Sequence, residues 1–228
     1  MLILLPPSEG KNSVQKGKPV LLTSLSFGKD LNATRKKTLA ALGTKISKSP
    51  CAKAVEVYSG VLYKALDYEN LNSASKKRAD KNIVIISALF GALRLNDLIP
   101  TYKLDMAKSL PKLGSLNSLW KPVVTKALDS LKADLIVDCR SSTYQGVWTS
   151  EPNKTVGIRV FTEKSGKRTV VTHMSKKTRG DVTRFLVTQT KSPKTAPGLQ
   201  KLVSKAFKCE LVKPEQKKSW FLDVIVKS

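Results

Sequence analysis

The chain has few of the residues that bind metals or form disulfides. It carries one histidine and three cysteines, Cys51, Cys139 and Cys209, in 228 residues. The cysteines are odd in number, lie far apart and form no CxxC or Cys/His pair with the spacing of metal ligands. These absences exclude a zinc finger and a disulfide framework, and they suit a reducing cytoplasm. We therefore expect no metal site and no cofactor.

Long apolar runs are also missing. The opening stretch MLILLPPSEGK has four apolar residues between Met1 and Pro6 and no basic segment before them, too little for a signal peptide or a membrane span. We expect a cytoplasmic protein that makes no membrane contact. With 41% hydrophobic residues and no break in composition, the chain can bury a core. We predict a single domain over residues 1–228 and a monomer.

Acidic residues are scarce. The 17 Asp and Glu face 41 Lys and Arg, which gives a net charge of +24. Such a charge attracts polyanions and makes nucleic-acid affinity depend strongly on salt. Only eight of the basic residues are arginine, the better bidentate reader of phosphate and guanine, so the charge favours sequence-independent attraction. The alternative is that the lysines reflect the general composition of the source organism.

Three short apolar runs predict buried strands at residues 2–5, 83–86 and 135–138. Each is followed by a polar loop, and the loops converge on one crevice if the strands are parallel neighbours. The Gly-Lys pair after the first strand is not a P-loop, because Leu5 and Asn12 stand where that motif needs glycine and Ser or Thr. The stretch from Ile83 to Met106 is equally compatible with a core strand followed by an ordinary solvated loop. The candidate ligand-binding residues are Ser8, Glu9, Lys11, Tyr58, Ser59, Ser87, Asp97, Tyr102, Lys103, Asp138, Arg140, Ser141 and Tyr144.

Helical spacing of apolar residues is found in several other segments. Residues 51–66 have it with an interruption at Ser59-Gly60, where Tyr58 suits either a site or simple packing. Pro122 favours a helix start near Lys121 within the segment 116–131. A hairpin of residues 155–161 and 168–173 and two terminal strands complete an α/β fold with a mixed sheet flanked by helices. The remaining predicted helices cover residues 33–42, 72–82, 180–190 and 199–205.

A dense basic cluster precedes and enters the helix predicted from Gly180. Its members are the candidate nucleic-acid contacts Lys176, Lys177, Arg179 and Arg184. The alternative is a solvated helix face. The chain's only histidine, His173, lies just before the cluster, and a lone histidine is more often structural than catalytic. A dyad of His173 with Cys139 would need the fold to bring the two together.

Several stretches resemble the peroxide stress protein YaaA family, and the opening is similar to its actinobacterial branch. They are MLILLPPSEGK, VYSGVLYKALDY, SALFGALRLNDLIPTYKLDM, the polar run of residues 138–144, and HMSKKTRGDVTRFL. The resemblance implies a compact α/β protein with a positively charged cleft. It also implies a cytoplasmic protein that limits free intracellular iron during hydrogen peroxide stress. It also implies binding of double-stranded DNA through a helix-hairpin-helix-like element near residues 39–54, where only Leu42-Gly43 is similar to the glycine hairpin.

Two functions therefore stand side by side. The first is a binding protein for duplex DNA or another polyanion, motivated by the charge. The second is an enzyme acting on a nucleotide- or nucleoside-type small ligand, motivated by the mixture of carboxylates, phenols and hydroxyls on the strand-end loops. Direct iron binding is the weakest option, because no cluster of ligand spacing exists.

Overall fold

A computed structural model describes residues 1–164, 167–215 and 218–226, with only the backbone of Thr172 and His173. Its centre is a mixed eight-stranded sheet with helices on both faces. The predicted fold class, α/β with a mixed sheet flanked by helices, is confirmed. None of the helices in the described ranges combines the length and the apolar character that a membrane crossing requires.

The strands of the main sheet follow the order β11-β12-β9-β8-β1-β3-β4, and β10 extends the sheet by pairing with β9. Two further pairs, β2 with β5 and β6 with β7, are antiparallel. The strands are β1 Leu2–Leu5, β2 Cys51–Lys53, β3 Ile83–Ser87, β4 Gly91–Leu93, β5 Leu98–Pro100, β6 Ser109–Leu110, β7 Gly114–Ser115, β8 Ile136–Asp138, β9 Thr155–Lys164, β10 Lys167–Val170, β11 Lys208–Val212 and β12 Trp220–Val226.

Strand β1 lies at the centre, parallel to β3 on one side and β8 on the other, with Leu4 opposite Val84 and Asp138. Alternate residues of β1 enter two separate cores: Ile3 on one face of the sheet and Leu4 on the other. Burial on both faces explains why these strands are continuous apolar runs rather than alternating ones. The predicted parallel neighbours are therefore confirmed.

Two groups of helices cover the sheet. Helices α4 and α8 pack against each other on the face that contains Ile3, and α6 covers the face that contains Leu4 and buries Trp120 completely. The helices are α1 Gly28–Leu42, α2 Thr44–Lys48, α3 Ala54–Val57, α4 Val61–Leu66, α5 Ser73–Asn82, α6 Leu116–Asp129, α7 Ser142–Gln145, α8 Thr172–Thr188 and α9 Ala196–Val203. Short 3-10 turns occupy residues 22–24, 68–70 and 152–154.

Several predicted boundaries were wrong. Helix α6 starts at Leu116 instead of near Lys121, because the Ser115 side chain caps it and the buried face outweighs the cost of an internal Pro122. Helix α8 starts eight residues before Gly180, so the second hairpin strand ends at Val170. Residues 51–53 form a strand, paired with β5, where the helical pattern was expected to begin, and α1 starts at Gly28 rather than at 33.

Candidate functional site

The three parallel strands β1, β3 and β8 deliver their following loops to one edge of the sheet. The chain after β1 goes on to β3 on one side, whereas the chain after β8 goes on to β9 on the other. Loops that leave neighbouring parallel strands in opposite directions open a crevice at the carboxyl ends of the strands. This crevice between β1 and β8 is the place in the fold best suited to a ligand.

The loop after β1 is fixed by the junction between α3 and α4. Lys11 and Tyr58 form an isolated antiparallel bridge, and the Ser59 N–H donates to the Gly10 carbonyl at 3.3 Å. The Lys11 ammonium turns back and donates to the Ser8 carbonyl at 2.7 Å. The strand-end loop is thereby held as a rigid turn, and it brings four of the predicted site residues together: Ser8, Lys11, Tyr58 and Ser59.

A buried hydroxyl network lies beneath this turn. The Tyr58 and Tyr102 hydroxyls are 2.7 Å apart, and the Tyr102 hydroxyl is 2.8 Å from Ser87 Oγ at the end of β3. Ser87 Oγ also accepts the backbone N–H groups of Leu89 and Phe90 at 3.3 and 3.1 Å. Burial raises the pKa of Tyr102, so the phenol keeps its proton and can act as a donor.

The Lys11 ammonium lies over the two phenol rings. Its Nζ is 4.6 Å from the centre of the Tyr102 ring and 5.7 Å from that of Tyr58, within the range of cation–π attraction. Burial lowers the pKa of Lys11, although the negative charges of Asp105 and Glu9 oppose the shift. A half-buried lysine of this kind is suited to pairing with an anion or to acting as a neutral amine.

The lowered pKa of Lys11 gives a direct prediction about its reactivity. Because the group loses its proton at a lower pH than an ordinary lysine, its reaction with acetic anhydride should reach half-maximum below the usual value of 10.5. Peptide mass spectrometry across a pH series would measure this rate, with exposed Lys64 as the internal reference. A Lys11 midpoint at or above that of Lys64 would contradict the burial argument.

Tyr144 approaches the same carboxylates from the opposite side of the crevice. It lies on α7, where its backbone N–H donates to the Ser141 carbonyl at 2.9 Å. Burial, followed by the charges of Asp105 and Glu9, raises the pKa of Tyr144 to about 12. The crevice thus has phenols on both sides and carboxylates between them. Asp105 was not among the predicted site residues. Its place three residues after the predicted site residue Tyr102, in the YKLD run, is the sequence feature that could have identified it.

Asp138 and Arg140 lie at the crevice, but they are bound to each other. Arg140 Nε and Nη2 donate to the two carboxylate oxygens at 2.9 and 2.8 Å. The same guanidinium donates to the carbonyls of Tyr144 at 3.2 Å and Trp148 at 2.9 Å. Both side chains are almost fully buried. The pair therefore fixes the loop after β8, and neither group extends toward a ligand.

Asp97 does not join the crevice. After β3 the chain reverses into β4, which runs antiparallel to it, so that residues 94–97 lie near the start of β3. Arg94 marks this place by donating to the carbonyl of Ile83 at 3.0 Å. The Asp97 carboxylate accepts from the backbone N–H and the hydroxyl of Ser26, both at 2.9 Å. The prediction that Asp97 belongs with the residues at the carboxyl ends of the strands was therefore wrong, because Asp97 lies near the start of β3. Lys103 is exposed beside the crevice.

The basic cluster on α8 is largely engaged within the protein. Lys176 pairs with Glu9 at 3.4 Å and Lys177 with Asp181 at 2.8 Å, and all four side chains are at least partly exposed. Arg179 instead donates twice to one carbonyl of β9, at 3.2 and 3.1 Å. Arg184 donates to the Leu66 carbonyl at the end of α4, at 2.9 Å. The two lysines are thus open to solvent, whereas the two arginines hold α8 in place.

Arginine side chains throughout the chain form hydrogen bonds within the protein. Every arginine donates at least one hydrogen bond to a backbone carbonyl or a carboxylate of the protein. The described ion pairs involve seven of the lysines, and most lysine side chains extend into solvent. The net charge is therefore presented outward by lysine. The arginines are Arg35, Arg78, Arg94, Arg140, Arg159, Arg168, Arg179 and Arg184.

Nucleophilic chemistry at Cys139 is not supported. The thiol is completely buried against Thr183, and burial raises its pKa to about 12. The side chain of His173, the proposed partner, lies outside the described residues. Among the side chains that are described, no three His, Cys, Asp or Glu residues group together as metal ligands would.

A cleft of about 820 Å³ lies at the opposite ends of the strands, near the start of β8. It is open, and its polar walls are bonded to each other: Trp148 donates to Asp129 at 2.8 Å, and Lys154 donates to the Glu151 carboxylate at 3.0 Å. The crevice between β1 and β8 is the better candidate, because it combines a half-buried amine with buried phenols.

Comparisons with known proteins agree on one family. The family model described as peroxide stress protein YaaA matches residues 20–210. The chain is 32% identical to a UPF0246 protein of Streptomyces coelicolor, over 99% of this chain and 98% of the relative. It is 34% identical to a UPF0246 protein of Corynebacterium efficiens, over 86% and 89%. A UPF0246 protein of Corynebacterium glutamicum is 32% identical over 90% and 93%.

Proposed function

Because this chain belongs to the peroxide stress protein YaaA family, we propose that it acts in the cytoplasm during hydrogen peroxide stress by binding duplex DNA or another polyanion. The binding would be independent of sequence and would use lysine. The observation that carries the proposal is the division of the basic residues: each arginine is bonded to another group of the protein, and most lysines are exposed. Lysine is a point charge that attracts phosphate without bidentate reading of bases.

The strongest candidate surface for this binding is the segment of residues 12–55. It contains eight lysines and a single carboxylate, Asp30. Helices α1 and α2 meet there at Gly43, whose φ of 88° lets the chain turn sharply, and Lys36, Lys37 and Lys45 are exposed around the turn. The Cys51 N–H donates to the Lys18 carbonyl at 3.1 Å, which brings the loop of residues 16–18 beside α2. We refer to this surface as the α1–α2 patch.

The α1–α2 patch covers the region where the family resemblance implies a helix-hairpin-helix element. Two helices joined by a glycine in a left-handed conformation are compatible with such an element, although α2 has only five residues. We propose that the patch contacts phosphates, while Lys176 and Lys177 contribute less because each already has a carboxylate partner. An effect on free iron would follow indirectly from this role.

Binding of a short DNA duplex across a salt series tests the proposal. Fluorescence anisotropy should give a steep linear fall of log affinity with log salt concentration. In the Lys36→Glu/Lys37→Glu variant the slope should shrink by about 2, since each lost phosphate contact removes about 0.9. The Lys176→Glu/Lys177→Glu variant carries the same change of charge and is the matched control, with a smaller expected loss.

The two variants also separate the alternatives. A larger loss in the Lys176→Glu/Lys177→Glu variant would move the interface to α8. Equal small losses in both would mean that only the net charge matters. Tight binding with a shallow salt slope in the unaltered protein would contradict lysine-based polyanion binding altogether.

A further inference from the structure

We propose that Lys11, Tyr58 and Tyr102 form a binding site for the carboxylate or phosphate group of a small hydroxylated molecule. The site lies at the carboxyl ends of β1 and β3, beside the crevice between β1 and β8. It is separate from the α1–α2 patch and does not depend on polyanion binding. It gives the strand-end residues a ligand class and a geometry.

The first argument is a count of hydroxyl hydrogens. Ser87 Oγ accepts two backbone N–H groups, which occupies both of its lone pairs, so it donates its own hydrogen to Tyr102. Ser87, Tyr102 and Tyr58 together own three hydroxyl hydrogens, yet two hydrogen bonds link the three hydroxyl groups. One phenolic hydrogen, of Tyr58 or Tyr102, therefore has no acceptor among the described residues.

That hydrogen belongs to a side chain that is almost removed from solvent. Tyr58 is 1% exposed and Tyr102 is 6% exposed. Each hydroxyl oxygen has a partner, but a buried donor hydrogen that is left without an acceptor costs about 1–3 kcal/mol in proteins. A protein gains from such an arrangement when a ligand oxygen accepts the hydrogen, and hydrogen bonds from a phenol to a charged oxygen are among the stronger ones.

Lys11 supplies the complementary charge. The ammonium has three hydrogens, and its one short hydrogen bond is to the Ser8 carbonyl at 2.7 Å, with a second carbonyl only at 3.5 Å. Since Nζ lies 4.6 Å from the Tyr102 ring centre, the ammonium is a near neighbour of the phenol, and the proposed oxyanion would bridge the two groups. Partial burial strengthens that attraction compared with a surface lysine.

The carboxylates of Glu9 and Asp105 limit the choice of ligand. Glu9 lies on the same turn as Lys11 and pairs with Lys176, and Asp105 follows Tyr102 by three residues, so both carboxylates border the site. A bare anion would be repelled by them, whereas a molecule with hydroxyl groups beside its oxyanion could donate hydrogen bonds to them. The position at the carboxyl ends of parallel strands is where open α/β sheets bind such molecules.

Protection of Lys11 from acetic anhydride tests the proposal, with glycerol 3-phosphate and glycerate as the two probes. The ionic strength is held constant with sodium chloride, and exposed Lys64 corrects for weak attraction to the whole basic surface. We expect Lys11 labelling to fall at least fivefold at saturation while Lys64 changes little. Stronger protection by the first probe assigns the site to phosphates, and stronger protection by the second assigns it to carboxylates.

Variants that lack the phenolic hydroxyls sharpen the test. Tyr58→Phe/Tyr102→Phe keeps Lys11 but removes both hydroxyls, and it should raise the half-protecting concentration about tenfold or more. Each single variant retains one phenolic hydrogen and should lose less. Tyr68→Phe is the matched control, because that hydroxyl bonds Asp80 at 2.8 Å elsewhere in the protein.

Circular dichroism and thermal unfolding establish that each variant is folded. Absence of Lys11 protection by both probes in the unaltered protein would overturn the proposal. So would an unchanged half-protecting concentration in the folded double variant, because protection would then not involve the hydroxyls. Loss of DNA binding in the α1–α2 variant leaves this outcome unaffected, so the two proposals fail separately.

Discussion

Replacing Asp138 with alanine is expected to destabilise the protein by about 3–5 kcal/mol, because it leaves the Arg140 guanidinium buried without its carboxylate. Arg140 is 2% exposed and forms a bidentate pair with Asp138. Removal of one partner of a buried ion pair costs far more than the net stabilisation by the pair itself. Equilibrium unfolding in urea, read as the free energy of unfolding, measures the loss.

Two control variants test whether the unpaired Arg140 guanidinium causes the loss of stability in Asp138→Ala. Glu210→Ala breaks the exposed pair of Glu210 with Arg168 and should leave the unfolding midpoint nearly unchanged, since solvent screens that pair. Asp138→Leu/Arg140→Met removes both buried charges and should recover part of the loss. The recovery is partial because the carbonyls of Tyr144 and Trp148 lose a donor. If Asp138→Ala costs less than about 1 kcal/mol, the pair is not the structural anchor described above.

This result decides how Asp138 is to be used in functional tests. A polar run directly after a buried strand suggests a binding residue, and Asp138 and Arg140 were both predicted as such. Their hydrogen bonds show that they hold α7 and the following chain against the end of β8. Loss of any activity in Asp138→Ala would therefore report a disturbed loop before it reported a lost ligand contact.

The strongest sequence signals were those that depend on local pattern. Residues 2–5, 83–86 and 135–138 are continuous apolar runs because both faces of a central parallel strand are buried, and the structure places them side by side. Each polar loop begins where the buried strand before it ends, so the loops lie at the carboxyl ends of the strands. The crevice of β1 and β8, with Ser8 and Lys11 at its edge, could thus be predicted from the sequence alone.

The route that the chain takes after β3 could not be predicted from local sequence patterns. Asp97 follows β3 by only ten residues, and yet it lies near the opposite edge of the sheet. The chain turns back at Gly91, whose φ is 74° and whose missing side chain leaves room for the Trp120 ring. That packing joins residues 29 positions apart in sequence, so no local pattern reveals it.

Partners of polar side chains were equally hidden. The hydroxyls of Tyr58 and Tyr102 meet across 44 residues, and Arg179 and Arg184 bond carbonyls of distant elements. From the sequence, Lys176, Lys177, Arg179 and Arg184 were equal candidates for phosphate contact. The fold separates them: arginine, with several donors in a planar fork, bonds carbonyls and carboxylates of the protein, while most lysines remain exposed. Lys11 is the exception, a lysine drawn over two phenol rings.

Replacing Gly180 with alanine is expected to destabilise the protein by about 1–3 kcal/mol, although alanine is the better helix former by about 1 kcal/mol. A Cβ atom at this position would overlap the Leu62 carbonyl oxygen and lie 2.7 Å from the Ala65 Cβ. Helix α8 would have to move away from α4, and its Arg184 hydrogen bond to the Leu66 carbonyl would lengthen. Urea unfolding again measures the change.

Gly198→Ala in α9 is the matched control, because its nearest neighbour would be the Thr195 hydroxyl oxygen at 3.1 Å and the helix propensity offsets that single tight contact. Gly180→Ala/Ala65→Gly should recover only part of the loss, since the Leu62 carbonyl remains in the way. A more stable Gly180→Ala would contradict the close packing of α4 and α8. That packing also positions the crevice: α4 follows directly on Ser59-Gly60, and α8 carries Lys176 to Glu9. A variant that separates these helices should therefore weaken protection of Lys11 by glycerol 3-phosphate as well.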